Sequence, residues 1–358
     1  MTKELRTGRT TGSCASAAAM AGTTYLLTGK KSASVEVPLP PGGRLTVPID
    51  RFEPEEGGVR ITVIKDGGDD PDATHGCDIQ AIVSIDKCVP EPLAISIDGG
   101  KGVGRATLPG LPVEVGAAAI NPEPLKQIEK AVREAATGLE TGVISVLIEV
   151  PEGETITKKT LNPRLGILGG ISILGTQGIV KPYSHASWKA TIEESLDVAR
   201  AQGLDHAIFT TGRRSERLYQ ETHPGTPDLA LIQAADFFEF SMQAAAKRDF
   251  TRVTWSLFFG KLVKQAQGLP YTHARTHPID FDRLADWCGE AKCSMLHRHE
   301  IQTANTARQV LMMLEEDPAR PGLIELLATE AKINAEKFSD GKCAVDYAVF
   351  DFDGVRLG

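Results

Sequence analysis

Residues 162–182 read NPRLGILGGISILGTQGIVKP, a segment in which glycines are interspersed among apolar side chains. A disordered linker is rich in glycine and polar, whereas this segment is rich in glycine and hydrophobic, so we expect it to be buried. Glycine inside an apolar strand marks close approach of the backbone to a second element or to a ligand. The segment therefore predicts a domain junction that carries a ligand site. A tightly packed strand without a ligand is the alternative.

The pattern of the chain changes at this segment. Upstream, apolar and polar residues alternate as in β-strands; downstream, short strands alternate with helices. A chain of 358 residues suggests about two domains. We therefore expect a β-rich α+β domain over residues 1–165. A Rossmann-like, doubly wound α/β domain with C-terminal helices and a final edge strand is expected over residues 166–358.

The composition excludes some classes of function. The net charge of −8 argues against a nucleic-acid partner, which normally needs a basic face, but a few basic residues in one cleft can still bind an anionic small molecule. The six cysteines form no CxxC pair, which indicates reduced thiols in a cytoplasmic enzyme. No stretch approaches the ~18 apolar residues of a membrane span, so no membrane partner is expected.

Alternating apolar pairs predict the strands of the first domain, and Pro and Gly turns separate them. Asn121 and Pro122 predict the start of a helix that runs to about Ala136. The predicted strands contain Val35/Val37, Val47/Ile49, Val59/Ile61/Val63, Ile79/Val83/Ile85, Ile95/Ile97, Val113/Val115 and Ile144/Ile148.

Two loops of the first domain carry polar groups. Residues 6–14, RTGRTTGSC, lead into an Ala-rich helix that Ser13 or Thr11 can cap, and a helix N-terminus with hydroxyls and two arginines suits a carboxylate or phosphate. Residues 65–76, KDGGDDPDATHG, place four aspartates and His75 in one turn, which suits a hard cation or a general base. The alternatives are an ordinary capped helix and a solvated acidic turn.

Three other motif matches fail. Residues 98–104, DGGKGVG, resemble a nucleotide-binding loop, but Pro109 and Pro112 prevent the helix that should follow. Gly260-Lys261 lacks the first glycine and the Ser/Thr of a P-loop. The spacing of Cys288, Cys293 and the neighbouring histidines is not that of a zinc site.

In the second domain, three loops follow predicted strands and should meet at one edge of the sheet, where ligands bind in doubly wound folds. They are residues 175–178 after ISIL, residues 211–216 after HAIF, and Gly260-Lys261 after VTWSLF. The tail predicts helices over Ile301–Glu315 and Gly322–Phe338 and a last strand over Val345–Phe352.

Seven motifs follow one another along the chain: RTGRTTGSCASAAA, KDGGDDPDATHG, GGKGVGRATLPGLP, VGAAAINP, NPRLGILGGISILGTQGIVKP, TTGRRSE and GKLVKQAQGLPYTHAR. Together and in this order they resemble the CbiD family, the cobalt-precorrin-5B C(1)-methyltransferases of anaerobic cobalamin biosynthesis. The resemblance runs from Leu5 to about Arg275, with a weaker match at residues 304–307. One departure is Leu257-Phe258-Phe259, where the family usually has Gly-His before Gly-Lys.

The resemblance implies methyl transfer from S-adenosylmethionine to C-1 of cobalt-precorrin-5B, giving cobalt-precorrin-6A. Carboxylates of the corrinoid would be bound by Arg6, Arg9, Thr10, Thr11, Lys65, Arg105, Arg164, Lys181 and His273. The methyl donor would be bound by Gly175, Thr176, Gly178, Thr211, Gly212, Arg213, Ser215, Glu216, Gly260 and Lys261. The catalytic candidates are Asp66, Asp69, Asp70 and His75.

The corrinoid brings its own cobalt, so no protein-bound metal is expected. Two other functions stay open: a nucleotide-dependent small-molecule enzyme that uses the Gly-rich loops, and a non-catalytic corrinoid-binding protein. A homo-oligomer is compatible with the sequence, which does not reveal the oligomeric state.

Overall fold

The computed structural model describes residues 5–357 and divides into two compact units, Met1–His185 and Ala186–Gly358. The first four residues of the predicted first domain lie outside the described part of the chain. Both units mix helices and strands, so the chain is of mixed α/β type. Within residues 5–357, no helix is long and apolar enough to cross a membrane.

The first unit contains thirteen short strands and three α-helices among its described residues, and a 3₁₀ helix over Thr157–Lys159. Their bounds are β1 Gly8–Arg9, α1 Thr11–Thr28, β2 Ser34–Pro38, β3 Arg44–Pro48, β4 Arg51–Glu55, β5 Gly58–Ile64, β6 Asp78–Asp86, β7 Ala94–Gly99, β8 Gly102–Val103, β9 Arg105–Ala106, α2 Pro122–Ala135, β10 Val143–Glu149, α3 Gly153–Ile156, β11 Ile167–Leu168, β12 Gly170–Ile171 and β13 Ile179–Val180.

The main sheet of this unit has the strand order β4-β5-β6-β10-β7, antiparallel except for the parallel pair β10 and β7. Every second side chain of the central strands is buried against α1 and α2, as period-2 alternation predicts. The strand predicted around Val113 and Val115 is wrong: these residues lie in bends and turns, where Pro109 and Pro112 remove hydrogen-bond donors. The buried residues include Val59, Ile61, Val63, Ile79, Ala81, Val83, Ile144, Val146 and Ile148.

Helix α1 is the buried helix of the unit. Its cap is Thr10, and not Thr11 or Ser13 as the sequence suggested: Thr10 Oγ1 accepts a hydrogen bond from the Ser13 N–H at 3.2 Å. Gly22 and the alanines allow close packing on the sheet. A Cβ at residue 22 would lie 2.7 Å from Val83 Cγ2.

Residues 166–185 belong to the first unit, so the observed division differs from the expected boundary at 165/166. The reason is strand pairing across long sequence distances. β11 pairs with β9, β12 with β8, and β13 with β1. The ISIL segment is therefore not the first strand of the second domain.

The second unit contains four strands and eight α-helices among its described residues, and a 3₁₀ helix over Asp228–Ala230. Helix α4 begins at the last residue of the first unit. The bounds are α4 His185–Ala201, β14 His206–Thr210, α5 Arg213–Thr222, β15 Leu231–Gln233, α6 Phe238–Lys247, β16 Arg252–Phe258, α7 Phe259–Ala266, α8 Phe281–Glu290, α9 Met295–Gln302, α10 Ala307–Met313, α11 Arg320–Phe338 and β17 Ala344–Phe350.

The four strands form a parallel sheet in the order β15-β14-β16-β17. One face packs around Phe209 and Trp255 against α4, α6, α7 and α11; the other packs Ile208 and Phe350 against α5. The helix predicted over Ile301–Glu315 is wrong as a single element. It is interrupted at residues 303–306, because Thr306 starts α10 by accepting from the Gln309 N–H at 3.1 Å.

Candidate active site

A cavity of about 210 Å³ lies in the first unit, beside the N-terminus of α1. Three of the predicted residues, Thr10, Thr11 and Lys65, contribute to its wall. Most of its lining residues carry a hydroxyl, amide or charged group, but the exposed wall is mainly apolar, so the cavity combines an apolar surface with a few polar groups. The lining residues are Thr10, Thr11, Lys65, Asp72, Ala73, Thr74, Thr160, Asn162, Ile171, Ser172, Leu174 and Val180.

Lys65 and Asp72 form a buried ion pair on this wall. The Lys65 side chain is 2% exposed, and its Nζ donates to Asp72 Oδ2. Thr74 donates to Asp72 Oδ1 from its N–H at 2.7 Å and from its hydroxyl. Burial alone would raise the pKa of Asp72, but the charge of Lys65 and these hydrogen bonds outweigh burial and lower it. Asp72 was in the quoted loop but was not predicted as a site residue.

The three aspartates predicted as catalytic accept hydrogen bonds, most of them from residues outside the loop. Arg6 Nη1 donates to Asp66 Oδ2, and this bond, with the Gly68 N–H, lowers the pKa of Asp66 to about 2. Asp69 Oδ2 accepts from the Arg6 N–H at 2.8 Å, and Asp70 Oδ1 accepts from the Tyr183 N–H at 2.9 Å. These bonds fix the acidic loop against residues 6–9 and 183.

His75, the fourth predicted catalytic residue, is about half exposed. Its Nδ1 accepts a hydrogen bond from the Gly67 N–H at 3.0 Å, so in the neutral ring the proton lies on Nε2. Arg9 also faces Asp66, with Nη2 3.7 Å from Oδ2. The loop therefore presents ionised carboxylates and one imidazole N–H donor.

Gly175, Thr176 and Gly178 lie in the first unit, not at the edge of the parallel sheet where the sequence placed them. Thr11 Oγ1 accepts from the Leu174 N–H at 2.8 Å, and Ser13 Oγ donates to the Gly178 carbonyl at 2.6 Å. The Gly-rich segment is thus bound to the start of α1.

The remaining predicted residues of the first unit lie outside the cavity lining. Arg105 is exposed and donates to Asp98 Oδ2 and to the Gly99 carbonyl, both at 2.9 Å. Arg164 is half-buried, and Lys181 is exposed.

A larger cavity of about 630 Å³ lies in the second unit, at the carboxyl ends of β14, β16 and β17. Six predicted residues line it: Thr211, Gly212, Arg213, Ser215, Gly260 and Lys261. Glu216 does not; it is buried and accepts from Gln233 Nε2 at 3.1 Å. His273 lies between the lining residues Thr272 and Ala274, and its ring stacks on Tyr271.

Two lysines of α7 converge on one carbonyl in this cavity. Lys261 Nζ pairs with Asp236 Oδ1 and donates to the Thr272 carbonyl at 3.1 Å; Lys264 Nζ donates to the same carbonyl at 3.1 Å. Burial, with the nearby charge of Lys264, lowers the pKa of Lys261 to about 8. Lys264 was not among the residues predicted from the sequence. The signal was its position, three residues after Lys261 on the same helix face.

An aromatic wall completes the cavity. The rings of Phe258 and Phe352 stack with centroids 5.8 Å apart, and the guanidinium of Arg214 lies 5.3 Å from the Phe258 centroid. Arg308 lies 5.2 Å from the Phe352 centroid on the same pair. Phe258 belongs to the segment that departs from the Gly-His pattern. Apolar rings beside cations suit an anionic ligand with a flat or apolar body.

Metal-ligating side chains do not cluster in the described part of the chain. Within residues 5–357, His, Cys, Asp and Glu form no group of three or more that could hold a metal ion.

The chain is similar to known proteins along its whole length. Residues 1–182 match the family model CbiD, and residues 271–358 match the model CbiD, C-terminal domain. A cobalt-precorrin-5B C(1)-methyltransferase from Nitratidesulfovibrio vulgaris is 48% identical over 99% of this chain and 92% of its own. One from Geobacillus sp. (strain WCH70) is 43% identical over 99% and 96%. A crystal structure of cobalamin biosynthesis protein (cbiD) from Archaeoglobus fulgidus is 29% identical, covers 74% of this chain and 80% of its own, and has a TM-score of 0.40.

Proposed function

The chain belongs to the CbiD family, and we propose that it is a methyltransferase that methylates C-1 of cobalt-precorrin-5B to give cobalt-precorrin-6A. The observation that carries this proposal is the 48% identity, over nearly the full length of both chains, to an enzyme of that name. We further propose that S-adenosylmethionine is the methyl donor. Location in the cytoplasm and assembly into a homo-oligomer stay predictions.

We propose that the second unit is the Rossmann-like, doubly wound domain expected from the sequence. β14 lies between β15 and β16, so the chain leaves β14 toward one edge of the sheet and returns to build the other. Apolar clusters on both faces pack helices against the sheet, as in doubly wound folds. Ligands of such sheets bind outside the carboxyl ends of the strands, where the 630 Å³ cavity lies.

The methyl donor fits this cavity by size and chemistry. A volume of about 630 Å³ is in the range of pockets for small molecules, and the wall combines apolar rings with a few polar groups. We assign the binding residues Thr211, Gly212, Arg213, Ser215, Gly260 and Lys261 to it. When bound, S-adenosylmethionine supplies an electrophilic methyl group on a sulfonium.

The first unit offers the groups for the corrinoid carboxylates. Thr10, Thr11 and Lys65 line its cavity, and Arg6 and Arg9 pair with Asp66 of the acidic loop. Arginine and lysine bind carboxylates through charge-assisted hydrogen bonds, so an acidic protein can hold a polyanion locally. Arg105, Arg164 and Lys181 complete the proposed set of the first unit. His273, in the second unit, stays a predicted corrinoid-binding residue. Gly175, Thr176 and Gly178, expected from the sequence to bind the methyl donor, are not assigned to the second-unit cavity, because they belong to the first unit and Gly175 and Gly178 contact the start of α1.

Methyl transfer to carbon is an in-line displacement, so the protein must mainly align the reactants and exclude water. The proposed catalytic residues are Asp66, Asp69, Asp70 and His75. A carboxylate with a pKa of about 2 is a weak base at neutral pH, so Asp66 is suited to stabilise positive charge and not to take up a proton. Because the proton of its neutral ring lies on Nε2, His75 is suited to donate a hydrogen bond.

The test measures methyl transfer from labelled S-adenosylmethionine to cobalt-precorrin-5B, with formation of S-adenosylhomocysteine and a product heavier by one methylene. We expect both products only when the corrinoid is present. We expect Asp70→Asn to slow transfer, whereas Glu56→Gln, an exposed acid of the same unit, should not. Folded protein that transfers no methyl group would overturn the proposal, and tight corrinoid binding without turnover would favour a carrier.

A further inference from the structure

Lys264 is a buried cation that has no carboxylate partner among the described residues. The residue is 6% exposed, and the Thr272 carbonyl is the one acceptor that its Nζ reaches within residues 5–357. An ammonium group has three N–H donors, so two remain for another partner. Buried charges in proteins are normally paired, because removal from water is costly without an opposite charge.

The neighbouring carboxylate is already in use. Asp236 Oδ1 accepts from Lys261 Nζ and from the Thr272 hydroxyl, the latter at 3.0 Å. Lys261 thus has an ion pair and two Thr272 oxygens within reach. Because both lysines lie 3.1 Å from the same carbonyl oxygen, they form one cationic cluster with a single balancing acid. The uncompensated positive charge is that of Lys264.

This charge faces a space large enough for a ligand. Lys264 lines the 630 Å³ cavity, together with Phe258, Ile279 and Phe281. An apolar wall excludes water and strengthens the attraction between Lys264 and an anion. Arg213 and Arg214 line the same cavity, so the local field favours an anion further.

We propose that Lys264, supported by Lys261, is the anchor of a carboxylate subsite in the second unit. This proposal rests on the proposed function, which supplies two possible ligands. The bound carboxylate is either the α-carboxylate of the methyl donor or a carboxylate arm of the corrinoid. Neither Lys264 nor Thr272 belonged to the site predicted from the sequence. Lys264 binds the carboxylate, and Thr272 positions both lysines through its carbonyl.

The first measurement compares two adenosine probes by calorimetry. S-Adenosylhomocysteine carries the amino-acid carboxylate, and 5′-methylthioadenosine lacks it. If the methyl donor supplies the carboxylate, Lys264→Met should weaken binding of S-adenosylhomocysteine about tenfold or more and leave that of methylthioadenosine unchanged. Lys264→Arg should retain most of the affinity. Lys247→Met, an exposed lysine of the same unit, is the matched control.

The second measurement uses cobyrinic acid and its heptamethyl ester, which share the ring but differ in the charge of the arms. If the corrinoid supplies the carboxylate, Lys264→Met should weaken binding of the acid about tenfold or more and leave the ester unchanged. In either case the ligand-free Lys264→Met protein should unfold at the same or a higher temperature, because an unpaired buried charge has been removed.

The proposal is overturned if Lys264→Met changes neither comparison, or if it lowers the unfolding temperature while leaving both carboxylate preferences intact, which would indicate a structural role. These outcomes are separate from failure of the proposed function. Wild-type protein that binds the probes but does not methylate cobalt-precorrin-5B would refute the function alone.

Discussion

Gly175 lies directly against the side chain of Thr10, although 165 positions separate them in the sequence. A Cβ at residue 175 would be 2.5 Å from Thr10 Cβ, and the Gly175 backbone has a φ of +136°. Thr10 caps α1 and lines the first-unit cavity. The glycine therefore has a local reason: it lets the Gly-rich segment touch the residue that starts the buried helix.

Gly175→Ala should destabilise the first unit by about 2–4 kcal/mol, since it adds a steric clash to the cost of a positive φ. Gly169→Ala is the matched control, because Gly169 has a φ of +83° and open space around it. The control should cost only about 1 kcal/mol. Denaturant unfolding followed by circular dichroism checks the difference. Equal losses in the two variants would show that the Thr10 contact does not matter.

Asp66 should make stability depend on acid. Its folded-state pKa of about 2 lies below the ordinary value of 3.8. Between these two pH values the folded protein therefore binds fewer protons than the unfolded chain. The stabilisation is complete above pH 4 and is lost as the pH falls toward 2. We expect Asp66→Asn to be less stable than wild type at pH 7. The difference in the free energy of unfolding between the two proteins should shrink as the pH falls from 4 toward 2. Urea unfolding at pH 7, 4 and 3 measures it.

Glu56→Gln is the control for this pH series, because Glu56 is an exposed acid of the same unit. Its stability should follow that of wild type at every pH. A gap for Asp66→Asn that stays constant down to pH 3 would contradict the role of the Arg6 hydrogen bond.

Local pattern was enough to predict most elements of the fold. Alternation located β5, β6 and β10, and Asn121-Pro122 located the start of α2. The position of residues 166–185 could not be predicted, because pairing of β11, β12 and β13 with strands far away in sequence leaves no local signal. Apolar residues after a predicted junction fit the first strand of the next domain equally well.

The candidate site was predictable where a motif marked it. The loop at residues 211–215 and Lys261 do line the second-unit cavity. Asp72 and Lys264 were missed because their importance depends on burial and on partners, Lys65 and the Thr272 carbonyl, that only folding brings near. Gly175, Thr176 and Gly178 were predicted at the edge of the parallel sheet because they belong to residues 166–185, whose long-range strand pairing leaves no local signal.

Phe258 and Phe352 should be energetically coupled. Their stacked rings are flanked by Arg214 and Arg308, so the pair should contribute about 0.5–1.5 kcal/mol beyond the area it buries. A double-mutant cycle with Phe258→Leu and Phe352→Leu, measured by denaturant unfolding, gives this value. Phe258→Leu combined with Val345→Ala, near the other end of β17, should be additive. Additivity of the two Phe changes would refute the coupling.

Lys261 should take up a proton when an anion binds to the second-unit cavity. Its pKa of about 8 means that near pH 8 about half of the ligand-free molecules carry a neutral amine. A bound carboxylate favours the charged form and raises the pKa, so binding above pH 8 requires proton uptake and affinity declines there. Lys264, Arg213 and Arg214 line the same cavity, and Asp236 is paired with Lys261.

Calorimetry of S-adenosylhomocysteine binding at pH 8.5, in buffers of different ionisation enthalpy, measures the protons taken up. Wild type should take up more than Lys261→Met, and the difference should vanish at pH 6.5, where Lys261 is already charged. The amino group of the ligand contributes equally to both proteins, so the comparison isolates the lysine. Uptake that is identical in the two proteins at pH 8.5 would show that Lys261 keeps its charge, or lies away from the bound carboxylate.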